Sequence, residues 1–145
     1  MNASSASARF GHAWIAFAFA LACHVVDEAA HDFLSVYNPT AAAIRARIPL
    51  LPIPTFTFNE WIIGLGMGIL LLLCLSPLAL RGAPWLRTVA VPLGIIVGIA
   101  NGIGHIVSSV YLRRWMPGVL SAPVIIAVGA WLLVASRRRP SAYAS

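Results

Sequence analysis

Residues 13–37 read AWIAFAFALACHVVDEAAHDFLSVY, an apolar run that passes without a break into a stretch rich in acids and histidines. A helix needs about 20 residues to cross the hydrocarbon core of a bilayer, and this run is long enough. Its polar half keeps helical spacing, because residues three and four apart stack on one face of a helix. The stretch therefore predicts a membrane-spanning helix that carries ionisable side chains.

The composition of the whole chain agrees with this prediction. Of 145 residues, 60% are hydrophobic and only 10% are charged. A soluble domain with this composition would expose a large apolar surface, so we predict an integral membrane protein. The net charge of +6 comes from arginines near the ends of apolar runs, a pattern typical of membrane orientation, and nucleic-acid binding is not expected. Cys23 and Cys74 lack the spacing of a disulfide framework or a cysteine zinc site.

Three more apolar stretches of spanning length follow the first. The four predicted spans cover residues 13–37, 59–80, 86–112 and 119–136. Short connections with Pro and Gly join the last three, which implies antiparallel neighbours. Residues 38–58 hold four prolines, and we expect this segment to lie in the interface or fold over the bundle mouth. The predicted fold is a single all-α domain over residues 1–145, a polytopic four-helix membrane bundle with an interfacial Pro-rich segment between helices 1 and 2.

Arginines at the span ends predict the orientation of the chain. One side would carry Arg9, Arg81, Arg87, Arg137, Arg138 and Arg139, and the other Arg45, Arg47, Arg113 and Arg114. Because cytoplasmic flanks carry the excess of basic residues, both termini are predicted to be cytoplasmic, in what we expect to be a bacterial inner membrane.

Aromatic residues and glycines have structural interpretations. Aromatic side chains near the span ends are expected in the membrane interface: Trp14, Trp61, Trp85, Trp115 and Tyr111. Glycines that recur along the second and third spans predict close helix packing: Gly64, Gly66, Gly68, Gly94, Gly98 and Gly102.

Ionisable side chains on three predicted spans fall at a similar depth, measured from the arginine at the cytoplasmic end of each span. His24, Glu28 and His31 lie 15, 19 and 22 residues after Arg9. Glu60 lies 21 residues before Arg81, and His105 lies 18 residues after Arg87. At about 1.5 Å of rise per residue, these groups lie about 22 to 33 Å along their helices. Unrelated polar positions would not be expected to coincide in this way.

The polar residues of each span also share a helix face, and the cost of exposing charge to lipid predicts that these faces turn inward. Two or three imidazoles with one or two carboxylates on facing helices suit a Zn or Fe site. The predicted metal ligands are His24, Glu28, His31, Glu60 and His105. Catalytic roles are expected for Glu28 and Glu60, with Asp27 and Asn101 orienting an imidazole or holding a water.

Several short motifs resemble those of a known family. They are His24-Val25-Val26-Asp27-Glu28, the pair Asn59-Glu60, His105, and the turn Trp115-Met116-Pro117-Gly118. Together they resemble the small bacterial membrane proteins named for an HXXEE motif. Asp27 stands where the family name has Glu, which leaves Glu28 as the matching acid. The resemblance implies a shared polar site and assigns no reaction to it.

Four functional hypotheses follow from the cluster. The first is a membrane metalloenzyme, an oxidoreductase or hydrolase, that acts on a lipophilic molecule entering from the bilayer. The second is a metal-free isomerase or cyclase in which Glu28 or Glu60 protonates a double bond. The third is a proton or metal-ion carrier, and the fourth is a structural network of interhelical hydrogen bonds. A homodimer that completes the site is consistent with a chain of only four spans.

Overall fold

The computed structural model describes residues 3–137, which fold into helices without a β-strand in that range. The elements are α1 Ala3–Ala30, α2 Phe33–Arg47, α3 Phe58–Cys74, α4 Ser76–Leu80, α5 Pro84–Pro92, a π-helical segment Leu93–Ala100, α6 Asn101–Leu112 and α7 Ala122–Arg137. The stretch from α5 to α6 is continuous and is called the long helix, Pro84–Leu112. The all-α prediction is confirmed. Arg138 and Arg139, used above to predict orientation, lie outside the described residues.

α1 forms the centre of the fold, with α3 and α4 packed on one part of its surface and α7 on another. The long helix packs in turn on α7. Trp14 and Phe17 of α1 are almost completely buried, and the Trp14 indole N–H donates to the Leu72 carbonyl oxygen at 2.8 Å. The prediction of an interfacial position is wrong for Trp14 and for Trp61, because both rings are buried in the hydrophobic core.

Glycines allow the long helix and α7 to approach at backbone distance. A Cβ atom at Gly98 would lie 3.0 Å from the Gly129 Cα, and one at Gly94 would lie 2.9 Å from the Gly129 carbonyl oxygen. The predicted packing role is therefore confirmed for the third span. In the second span a Cβ atom would meet open space at each of the three glycines: Gly64, Gly66 and Gly68.

The first predicted span is too long at its C-terminal end. α1 stops at Ala30 rather than residue 37, and Asp32 adopts the left-handed conformation with φ 54°. Asp tolerates this conformation better than most residues. The Asp32 carbonyl then accepts hydrogen bonds from the Ser35 N–H and hydroxyl, and α2 begins. About half of the Pro-rich segment 38–58 is consequently helical, since α2 continues through Pro39 to Arg47.

Proline divides the second predicted span. α3 ends at Cys74, and α4 begins at Ser76 with Pro77 in its first turn. Pro cannot donate a helical hydrogen bond and its ring clashes with the carbonyl four residues earlier, so a continuous helix is disfavoured there. Pro92 precedes the π-helical segment, a rare form that widens the helix locally.

Two of the helices within residues 3–137 are long and apolar enough to cross a membrane, Ser4–Ala30 and Pro84–Leu112. α3 and α7 are apolar but shorter, with 17 and 16 residues. The length and composition of the helices therefore support two of the four predicted spans.

The Pro-rich segment folds back along α2. The Asn38 side chain donates to the Phe56 carbonyl oxygen at 2.8 Å and accepts from the Phe56 N–H at 3.1 Å. The Tyr37 hydroxyl donates to the Pro54 carbonyl oxygen at 3.0 Å. α2 and residues 48–57 thus form one hairpin, which continues into α3.

Candidate metal centre

Three buried side chains from two helices meet near the C-terminal end of α1. His24 and Glu28 lie one turn apart on α1, and His105 comes from α6. Glu28 Oε1 is 3.1 Å from His105 Nε2 and 3.7 Å from His24 Nε2. Each residue offers a donor atom, and these atoms lie within 4.8 Å of one another. The three residues are called the His–Glu–His triad.

The triad has the size and chemistry of a metal site. Metal–ligand bonds of about 2.1 Å place ligand atoms roughly 3 to 3.5 Å apart in a tetrahedral site. The separations of 3.1 and 3.7 Å from Glu28 Oε1 are close to this range, in a group whose ligand atoms all lie within 4.8 Å of one another. Two imidazoles and one carboxylate form the ligand set of many catalytic zinc sites and of non-haem iron sites. An ion held by such a set would keep coordination positions for water or substrate, as in catalytic sites and unlike closed structural sites.

A hydrogen-bond relay orients the His24 ring. Ser121 Oγ is 2.7 Å from both His24 Nδ1 and Asp27 Oδ2, and the Ser121 N–H donates to the same carboxylate oxygen at 2.9 Å. A carboxylate only accepts, so the Ser121 hydroxyl donates to Asp27 and its oxygen accepts from the His24 Nδ1–H. The His24 lone pair then lies on Nε2, the nitrogen that faces Glu28.

Asn101 lies directly against this nitrogen. Its side-chain Nδ2 is 2.9 Å from His24 Nε2 and donates to it. Asp27 and Asn101 thus both lie beside His24, Asp27 acting through the Ser121 hydroxyl. An ion on His24 Nε2 would displace the Asn101 amide, which would then be available to a bound water or substrate oxygen.

Ser121 was not among the predicted site residues, although the sequence contained a signal for it. It lies 16 residues before Arg137, or about 24 Å along the helix axis. This is the depth at which the other spans carry their ionisable groups. Extending the same depth comparison to hydroxyl residues of the fourth span would have found it.

Two of the five predicted ligands are not brought to the triad. Glu60 forms a capping box at the start of α3, where its Oε2 accepts from the Thr57 N–H and hydroxyl, both at 2.8 Å. His31 lies beyond the end of α1, with Nδ1 2.9 Å from Asp27 Oδ1 and its side chain 53% exposed. Of the five predicted ligands the structure therefore brings three together, because local capping holds Glu60 at the start of α3 and the turn at Asp32 takes His31 off the helix.

The part of the chain that holds the triad matches a known protein family. Residues 14–132 match the model of a family described as proteins of unknown function with an HXXEE motif. The chain belongs to the HXXEE family. No curated protein and no solved structure matches the chain. In this HXXEE protein the motif begins at His24 and ends at Glu28, so its first and last residues both belong to the triad.

A second segment of the HXXEE protein covers the triad from the side of α7. Gly118, in the turn after α6, has a left-handed backbone with φ 82°. A Cβ atom there would lie 2.8 Å from His105 Cε1 and 3.0 Å from Glu28 Cγ. The Phe33 ring lies against His105 as well, with ring centroids 5.8 Å apart. The turn and α2 together shield the triad.

An apolar groove of about 270 Å³ opens beside the triad. Its floor is α1 with Leu21 and Val25, and its walls are Leu65 of α3 and Val97 of the π-helical segment. His24, Glu28 and Asn101 line the same groove. The groove therefore joins an apolar surface to the polar atoms of the triad.

Proposed function

We propose that this chain is an integral membrane protein in which His24, Glu28 and His105 bind a divalent zinc or iron ion and act on a lipophilic molecule. The observation that carries the proposal is the meeting of three buried ligand atoms from two helices, all within 4.8 Å of one another. Buried ionisable groups in a membrane are costly to retain and mark functional sites.

The membrane part of the proposal is supported by the apolar surface. Val26, Met67 and Val110 are 66%, 67% and 73% exposed, although each lies in an apolar helix. Exposure of such side chains to water is unfavourable, and lipid would cover them. In the proposed arrangement α3 and α7 complete four spans, and both termini are cytoplasmic.

Different residues of the chain would have different roles at this site. The groove would hold the apolar part of the substrate, and the Asn101 amide would orient a polar atom beside the triad. Gly118 and Phe33 would exclude bulk water, which strengthens electrostatic interactions inside the site. A bound ion would supply Lewis-acid chemistry if it is zinc and redox chemistry if it is iron.

Metal analysis tests the proposal directly. Protein purified in detergent without any chelator is expected to contain about one zinc or iron ion per chain. Because an ion that binds only the folded state stabilises it, removal by chelator should lower the unfolding temperature, and restoring the ion should recover it. Absence of stoichiometric metal in protein never exposed to chelator would contradict the proposal.

The short contact between Glu28 Oε1 and His105 Nε2 favours a second candidate. A buried carboxyl and imidazole 3.1 Å apart can exchange a proton, as a metal-free isomerase or cyclase would require. The two candidates differ in one measurable property. Once a substrate is found, activity that is unchanged in excess chelator favours the acid/base enzyme, and activity lost in chelator and restored by one metal favours the metalloenzyme.

Ser121→Ala is expected to weaken metal binding by about 10- to 100-fold, the usual effect of losing a partner that orients a ligand. Without the hydroxyl, the His24 ring is no longer held with its lone pair on Nε2. The measurement is a competition titration against a chromophoric chelator. The matched control is Ser136→Ala, because the Ser136 hydroxyl donates to the Leu133 carbonyl oxygen of its own helix. Equal affinities for both variants would contradict the orienting role.

A further inference from the structure

The groove beside the triad changes from polar to apolar along the axis of α1. His24 and Glu28 supply polar atoms, and Leu21 lines the groove about one turn before His24. His24 itself lies six residues before the end of α1 at Ala30, or about 9 Å. The polar part of this floor therefore lies toward the end of the helix, and Leu21 lies toward its middle.

The wall formed by the long helix has the same polarity. A Cβ atom at Gly98 would lie 3.2 Å from Phe17 Cε2. Farther along both helices, Asn101 Nδ2 lies 2.9 Å from His24 Nε2, so the long helix and α1 run in the same direction. Val97 lines the groove four residues before Asn101. The amide of this wall is therefore at the end of the groove that holds the triad.

α3 forms the other wall and runs in the opposite direction. It starts near the triad, where Trp61 lies 5.8 Å from Phe33 between ring centroids, and Leu72 near its far end accepts from Trp14 of α1. Leu65 lines the groove one turn after Trp61. In the described part of the chain α3 packs mainly on α1, and the π-helical segment packs on α7. The groove lies between α3 and the π-helical segment, which gives a molecule in the bilayer a lateral route to the triad.

Aromatic rings close the groove at the triad. The Phe33 ring lies 5.8 Å from both the His105 ring and the Trp61 ring, measured between centroids. The groove volume of about 270 Å³ is below the roughly 300 to 1,000 Å³ of pockets that enclose a drug-sized molecule. The groove therefore has room for a small polar head and the first part of one chain, and a phospholipid head group or a fused-ring molecule would exceed it.

Within residues 3–137, the lining of the groove contains no arginine, the residue best suited to phosphate and carboxylate groups. Glu28 instead places a carboxylate beside the same space, and like charges disfavour an anionic head. The Asn101 side chain supplies an amide donor, which suits a hydroxyl or carbonyl oxygen. These side chains favour an uncharged head.

We propose that the groove binds a single-chain amphiphile with a compact uncharged head, a long-chain alcohol or aldehyde, which enters from the bilayer between α3 and the π-helical segment. The head oxygen accepts from the Asn101 amide beside the triad, and the chain runs past Leu65 and Val97 toward the membrane interior. This inference rests on the proposed function, because it names the substrate class of that site.

The experiment uses the full chain in phosphatidylcholine nanodiscs and a photoreactive hexadecanol that carries a diazirine in its chain. Mass spectrometry of the digested protein maps the labelled residues, and label is expected at Leu65 and Val97. Unlabelled hexadecanol is expected to compete about tenfold better than hexadecane, since the alkane lacks the oxygen that pairs with the Asn101 amide. Palmitate and cholesterol test head charge and ring shape, and both should compete more weakly than hexadecanol.

A groove-filling variant tests the position of the chain. Leu65→Trp is expected to reduce the competed label about tenfold, because the indole would displace about two methylene groups from the groove. The matched control is Leu70→Trp, the same substitution on the same helix at a side chain that is 60% exposed, and its labelling should equal that of the wild type. Circular dichroism checks that both variants fold, and the competition series on the wild-type protein does not depend on them.

Three results would overturn the assignment: label that unlabelled hexadecanol does not compete, equal competition by hexadecane, or stronger competition by palmitate or cholesterol. Metal content is measured on the same preparations. Full metal content without competed label would contradict this inference alone. Competed label at the groove in protein without stoichiometric metal would contradict the proposed metal site and support the groove assignment.

Discussion

His105→Ala is expected to reduce the metal content of the purified protein from about one ion per chain to nearly none. His105 is one of the three proposed ligands, and its Nε2 lies 3.1 Å from Glu28 Oε1. Removing a ligand should cost more than the roughly 10- to 100-fold loss caused by changes in the groups that orient ligands. Glu28→Gln should have a similar effect with almost no change in volume, because the amide removes the negative charge that the ion requires. Elemental analysis and a chelator competition titration measure both variants.

The discarded ligand candidates provide matched controls for this experiment. His31→Ala and Glu60→Gln remove the same side-chain types from positions outside the triad. Both variants are expected to keep wild-type metal content. Circular dichroism on all four variants checks that helical content is retained. Full metal content in His105→Ala, or an equal loss in His31→Ala, would contradict the assigned ligand set.

Gly118→Ala is expected to destabilise the protein by about 2 to 5 kcal/mol. A left-handed backbone costs a residue with a side chain about 1 to 2 kcal/mol, and overpacking a filled site adds about 1 to 3 kcal/mol. The new methyl group would meet His105 Nδ1 at 2.9 Å and Glu28 Cγ at 3.0 Å. Because these atoms belong to two of the three proposed ligands, metal affinity should fall together with stability.

Gly104→Ala is the control for this variant. Gly104 precedes His105 on α6, and a Cβ atom there has open space around it. Replacing glycine by alanine inside a helix stabilises it by up to about 1 kcal/mol. Thermal unfolding in detergent compares the two variants with the wild type. A Gly118→Ala protein as stable as the wild type would show that the turn relaxes without strain.

Part of the site could be predicted from the sequence because it depends on local helix geometry. Rise per residue and period are properties of the backbone alone, so the similar depth of His24, Glu28 and His105 followed from counting residues. The same counting also selected His31 and Glu60. It failed there because each residue has a short-range alternative, a turn for His31 and a helix cap for Glu60. The position of a residue along its helix axis carries no information on such local alternatives.

The fold, like the site, could be predicted only in part. The helices Pro84–Leu112 and Ala122–Arg137 begin and end within a few residues of the third and fourth predicted stretches, since long apolar runs form helices wherever they pack. The end of α1 at Ala30 was missed, and the second span was predicted as one stretch although α3 ends at Cys74, before Pro77. Trp14 was assigned to an interface although it is buried against α3, since a tryptophan near a span end suits both positions.

By itself the sequence determined that the chain is helical, which stretches are apolar, and at what height along each helix the ionisable groups lie. These properties follow from the local backbone and from composition. The tertiary structure alone decided which of those groups meet. The rotation of each helix about its axis, the approach of Gly118 and the relay through Ser121 depend on contacts between residues far apart in the chain. Such contacts are set by packing, which no local spacing rule encodes.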